Sequence, residues 1–284
     1  MNRIFFRLFN LFNSLFNYFL TSRFKIISTL IYIPCLYLFS WIITQPLQIF
    51  KFDKESLSNI AEVLTVILFL ILIPKWFRTR WGIRKSFTKI GLKSSNKKVS
   101  FISYLFKGFQ YSLLLIILIL APVFINGWYA WQPESSIMTI PNAILLGLVY
   151  GLGEEIFFRG WLQEELIIQL GDKLGIVIQS LIFSLLHGYQ NIWLTFGLFI
   201  LGIILSVRKI NDKGSIWGCA GLHGGLVGLW FIATSRLSIS SDAPSWLVGL
   251  DKTNLNPIGG LYGITLMIVF LIFFKRNQLS KSYY

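Results

Sequence analysis

Eight long stretches of predominantly apolar residues constrain this chain more than any other feature. They lie near 26–50, 58–75, 107–127, 141–161, 174–191, 192–208, 216–234 and 259–274. Inside hydrocarbon every backbone N–H and C=O must be satisfied by protein, so stretches of this kind are expected to span as helices. A spanning helix takes about 17–25 residues, which these segments reach or approach. Composition agrees, because 55% of the 284 residues are hydrophobic and 13% are charged, with a mean hydropathy of +0.66. A soluble domain carries roughly 25% charged residues. The expected fold class is therefore all-α, a polytopic membrane protein of about eight transmembrane helices.

The net charge of +14 would suit a nucleic-acid partner if it were spread over a surface, but it is not. Ten Lys or Arg and no Asp or Glu occur between Lys75 and Lys107. A basic segment between two apolar spans is what the positive-inside rule produces, and it attracts anionic lipid headgroups. Nucleic acid is accordingly not expected as a partner; membrane lipids are. An eight-span chain places both termini and the 75–107 loop in the cytoplasm, with the neutral or acidic segments 128–140 and 235–258 opposite. Cys35 and Cys219 both sit in apolar spans with no metal-ligand or disulfide spacing. Residues 1–25, where Phe5, Phe9, Phe12, Phe16 and Phe19 recur three and four apart, read as an amphipathic interfacial segment. Residues 26–140 then form the N-terminal transmembrane helices with the basic loop. Residues 141–234 form a core, and 235–284 a loop and last transmembrane helix.

Ionisable groups at membrane depth cost about 2.5–3.5 kcal/mol each on insertion scales, so those present face a bundle interior and act there. Five of them fall in three apolar segments of the 141–234 core, 141–161, 174–191 and 216–234. Glu154, Glu155 and Arg159 lie in AILLGLVYGLGEEIFFRG, and the chain's two histidines, His187 and His223, lie in SLIFSLLHGYQN and GCAGLHGGLVGLW. On a helix Glu155 and Arg159 are four apart and can pair, whereas Glu154 points about 100° away. One carboxylate is thus tied to the guanidinium and the other is left for proton chemistry, the division acid–base catalysis uses. Glycines at 147 and 151, and at 221, 224, 225 and 228, let backbones approach closely enough to bring an imidazole to a carboxylate.

E-E-x-x-x-R at 154–159, F-x-x-x-H at 183–187 and a later histidine in a small-residue span resemble the three motifs of the CAAX prenyl protease and bacteriocin-processing (CPBP) family. This family, also called the abortive-infection family, consists of intramembrane glutamic endopeptidases. The resemblance covers about 141–234 and implies a catalytic-type four-helix core. It implies that Glu154, with His187, activates a water, that Glu155 and Arg159 hold it in place, and that His223 stabilises the oxyanion. It implies no cofactor, no metal and a membrane-anchored peptide or protein substrate. It points to an integral protein of a bacterial plasma membrane or a bacterial-derived internal membrane. The family's third motif commonly reads H-x-x-x-N, but Val227 stands at the last position here. Asn191 and the indole N–H of Trp230 are possible substitute oxyanion donors. Two alternatives stay open: a non-catalytic scaffold, chaperone or immunity protein on the same fold, and a zinc metalloprotease using the same histidines and glutamates. The oligomeric state is not legible.

Overall fold

The computed structural model describes residues 2–93, 100–132, 136–188, 191–249 and 256–281. The chain is an all-α integral membrane protein, divided into two compact units at Phe87/Thr88. A helix lies over each of the eight expected segments, but by length and composition five runs among the described residues qualify as spans. These are Lys25–Phe50, Lys54–Trp81, Phe101–Ile125, Thr139–Leu170 and Ile192–Asn211.

The first unit contains α1 (Asn2–Thr21), α2 (Lys25–Thr44) and α3 (Lys54–Trp81). α3 starts at Asp53, whose side chain accepts from the Ser56 amide, and ends at Gly82, where a φ of 69° needs no Cβ. Phe16 and Phe19 of α1 are buried, and Phe16 meets Tyr32 and Trp76 at ring distances of 5.8 and 6.4 Å. Part of the amphipathic phenylalanine stripe is therefore packed against protein. The basic segment also differs from the expected loop. Lys75, Arg78 and Arg80 lie within α3, and Lys107 lies within α5. Arg80 is buried, donating to the Phe19 carbonyl at 2.6 Å, the Ser28 hydroxyl at 2.8 Å and the Lys25 carbonyl at 3.0 Å. It ties the turn between α1 and α2 to α3.

α4 (Ser86–Lys89) lies across the division between the units. The second unit then holds α5 (Phe101–Ile125), α6 (Thr139–Glu155), a π turn (Ile156–Leu162) and α7 (Gln163–Leu170). These are followed by α8 (Asp172–Gly188), α9 (Ile192–Asn211), α10 (Trp217–Arg236), the short α11 (Ser245–Val248) and α12 (Leu261–Lys281). A two-stranded antiparallel ribbon, β1 (Tyr129–Trp131) with β2 (Leu237–Ile239), pairs Ala130 with Ser238 between the two neutral segments. Its apolar core joins Leu115 and Ile119 of α5, Ile204 and Leu205 of α9, Leu222 of α10 and Met267 of α12.

α10 sits between α5 and α6 with glycine at the contacts. A Cβ on Gly147 would lie 2.7 Å from the Gly224 carbonyl oxygen, and one on Gly151 would lie 2.5 Å from the Gly224 Cα. These approaches set His223 of α10 beside the carboxylates at the end of α6. Gly151→Ala should therefore destabilise the protein by about 1–3 kcal/mol, the usual range for overpacking. Gly153, where a Cβ would meet nothing within 4 Å, is the control. Gly153→Ala should be neutral or stabilising by up to about 1 kcal/mol, as helix propensity alone dictates. Thermal unfolding of the two variants in detergent checks both.

Candidate active site

The helical run that begins with α6 extends beyond the expected segment 141–161. It continues through the π turn and α7 to Leu170, and Gly171, at φ 82°, turns the chain into α8. Glu154 lies 17 residues before Gly171 and His187 lies 16 after it. The two arms of this hairpin thus place carboxylate and imidazole at the same height.

His187 Nε2 lies 3.0 Å from Glu154 Oε2, and His187 Nδ1 lies 2.7 Å from the Phe183 carbonyl oxygen. A carbonyl oxygen only accepts, so Nδ1 carries a proton there. Nε2 and Oε2 at this distance must then share one more proton, either on the ring or on the carboxyl, since two acceptors would repel. Phe183, one turn before His187, is fully buried and carries three of the other groups. Its ring lies 4.5 Å from that of His187 and 5.6 Å from that of His223, and the Arg159 guanidinium carbon lies 4.2 Å above its centroid. This accounts physically for a phenylalanine four residues ahead of the histidine.

Glu155 takes the other partners. Its Oε1 accepts from Arg159 Nη1 at 2.8 Å and from His223 Nδ1 at 2.9 Å, with Glu155 and Arg159 both at 0% exposure. That bond turns His223 so that its Nε2 lies 3.8 Å from Glu154 Oε2. The five groups form one network with a graded environment. The side chains of Glu154 and His187 are 22% and 30% exposed, while the Glu155–Arg159 pair behind them is sealed. The sequence reading does not single out Glu164 or Lys209, and the buried Lys209 donates to the Arg159 carbonyl at 2.7 Å and pairs with Glu164. Residues 45 positions apart with no shared motif gave no sequence signal for it.

The two possible oxyanion donors are placed differently. Asn191 caps α9, its Oδ1 accepting from the amides of Trp193 at 2.9 Å and Leu194 at 3.1 Å. Trp230 packs against the apolar core, and no described contact joins it to Glu154, His187 or His223. Asn191→Ala should cost about 1 kcal/mol of stability through the lost cap, and Asn191→Asp should restore it. Comparing the two melting temperatures separates the cap from any role of the amide. Among the described residues no group of three or more His, Cys, Asp or Glu is placed to hold a metal ion.

Residues 136–229 match the family described as type II CAAX prenyl endopeptidase, Rce1-like. The match covers a third of the chain and contains E-E-x-x-x-R, F-x-x-x-H and His223, so this segment is similar to the CPBP family whose motifs they resemble. That family is one of membrane proteases. Residues 14–85 match a domain of unknown function lying within the first unit. No curated protein and no solved structure matches the chain.

Proposed function

We propose that the chain is an intramembrane endopeptidase that hydrolyses a peptide bond of a membrane-anchored protein or peptide with a water activated by Glu154 and His187. The observation carrying this reading is the position of Glu154 Oε2, between the Nε2 atoms of His187 at 3.0 Å and His223 at 3.8 Å. In the reaction Glu154 accepts a proton from water, the hydroxide adds to the scissile carbonyl, and the oxyanion lies toward His223. The proton then passes from the Glu154–His187 pair to the leaving amide nitrogen. Glu155, anchored by Arg159, orients the His223 ring and takes no part in proton transfer. A base and an acid already in hydrogen-bond contact fit general acid–base catalysis, which contributes typically about 10²–10⁴-fold.

Purified protein in liposomes should cleave a membrane-anchored peptide at the same rate with and without a chelator. Loss of activity on chelation, restored by zinc, would move the reading to a metalloprotease. No cleavage by folded protein would move it to a scaffold, the alternative that Val227 supports. We further infer an eight-span topology in a bacterial plasma membrane or a bacterial-derived internal membrane, and the ten cations and no anions of residues 75–107 support placing that segment and both termini in the cytoplasm. Cysteines at Ser94, which lies outside the described residues, and at Ser240 should label from opposite sides once Cys35 and Cys219 are replaced. Labelling of both from one side would overturn the topology.

A further inference from the structure

Lys209 lies near the end of α9 at 2% exposure, although an ammonium buried without compensation is among the costliest groups a protein can hold. Its compensation is specific. Nζ donates to the Arg159 carbonyl at 2.7 Å and pairs with Glu164 Oε1, while Glu164 Oε2 meets the half-exposed Lys89 at 2.6 Å. Arg159 belongs to the π turn 156–162, a wider helical turn of a kind found frequently at functional sites. Glu164 is the second residue of α7, two positions after that turn ends. Lys209 therefore holds the backbone of the residue whose guanidinium holds Glu155, and Glu155 in turn orients His223.

We propose that Lys209, clamped by Glu164, is a positioning residue that fixes the π turn so that Arg159 and Glu155 set the orientation of the His223 ring. This rests on the reading of Glu154, His187 and His223 as the active site only for its effect on turnover. Its effect on His223 is independent of that reading. The chain has two histidines, so ring nitrogen-15 spectra of histidine-labelled protein contain two ring systems, and His187 serves as an internal reference.

The double variant Lys209→Met/Glu164→Gln removes both charges of the pair together, and Glu164→Gln alone removes the carboxylate charge facing Lys209 at a side chain that is 12% exposed. Both should shift the His223 resonances, the single variant less, while those of His187 move little. In a cleavage assay kcat of the double variant should fall about 10–100-fold with KM little changed, the scale of a small misplacement of catalytic groups. Unchanged His223 resonances in the folded double variant would overturn the proposal, and equal displacement of both histidines would mark general loosening and overturn it as well. If the double variant does not fold, Glu164→Gln decides by the same two criteria. Should wild-type protein cleave nothing, the protease reading fails while the spectra still decide the role of Lys209.

Discussion

Arg159→Ala should be the most destabilising single substitution among the five candidate site residues, by about 3–5 kcal/mol, the usual consequence of breaking a buried ion pair on one side. Glu155 and Arg159 are both fully buried and bonded at 2.8 Å. Glu155 Oε2 and Arg159 Nε are also buried without a hydrogen-bond partner among the described residues, so Glu155 is held there by its bonds to Arg159 and His223. His223 would keep its bond to Glu155 but would then face a carboxylate without its guanidinium. The loss should appear as a lowered melting temperature in detergent and a lowered membrane yield. Glu154→Gln, at a side chain that is 22% exposed, should leave both close to wild type. An Arg159→Ala protein as stable as wild type would mean that the pair does not hold the bundle.

The other large effect belongs to turnover. Glu154→Gln, His187→Ala and the double variant should each lose cleavage by a similar factor, about 10²–10⁴-fold, because in the proposed reaction the two side chains handle one proton. Groups that act as a unit are strongly non-additive, whereas groups that act separately multiply their losses. The 3.0 Å contact between His187 Nε2 and Glu154 Oε2 is the structural basis for this expectation. Losses that multiply in a folded double variant would assign the two residues separate roles.

Much of this was legible in the sequence because membrane chemistry leaves few options. A helix lies over every expected apolar segment, and the five ionisable residues expected at one place lie together, Glu154 bonded to His187 and Glu155 bonded to Arg159 and His223, with 3.8 Å between His223 Nε2 and Glu154 Oε2. The glycine spacings of α6 and α10 meet face to face at Gly147, Gly151 and Gly224. What the sequence hid has physical causes. A polar run reads as the end of a span, yet Gln163 and Glu165 are buried and the helix runs on to Leu170. The π turn leaves no hydropathy signature, since it changes backbone pitch and not side-chain type. Arg80, Lys209 and Glu164 look like flanking charges under a positive-inside reading, and only tertiary packing makes them internal partners. The cap that the Asn191 side-chain oxygen forms on α9 likewise leaves no mark in the hydropathy pattern.

The central claim is that Glu154 activates the attacking water. The most direct measurement is the cleavage rate of a membrane-anchored peptide by wild-type and Glu154→Gln protein, each purified, folded and reconstituted in liposomes with a chelator present. The account predicts turnover by the wild type and loss of about 10²–10⁴-fold in the variant at unchanged melting temperature. Equal cleavage by the two proteins, or none by the wild type on any membrane-anchored peptide, would contradict it.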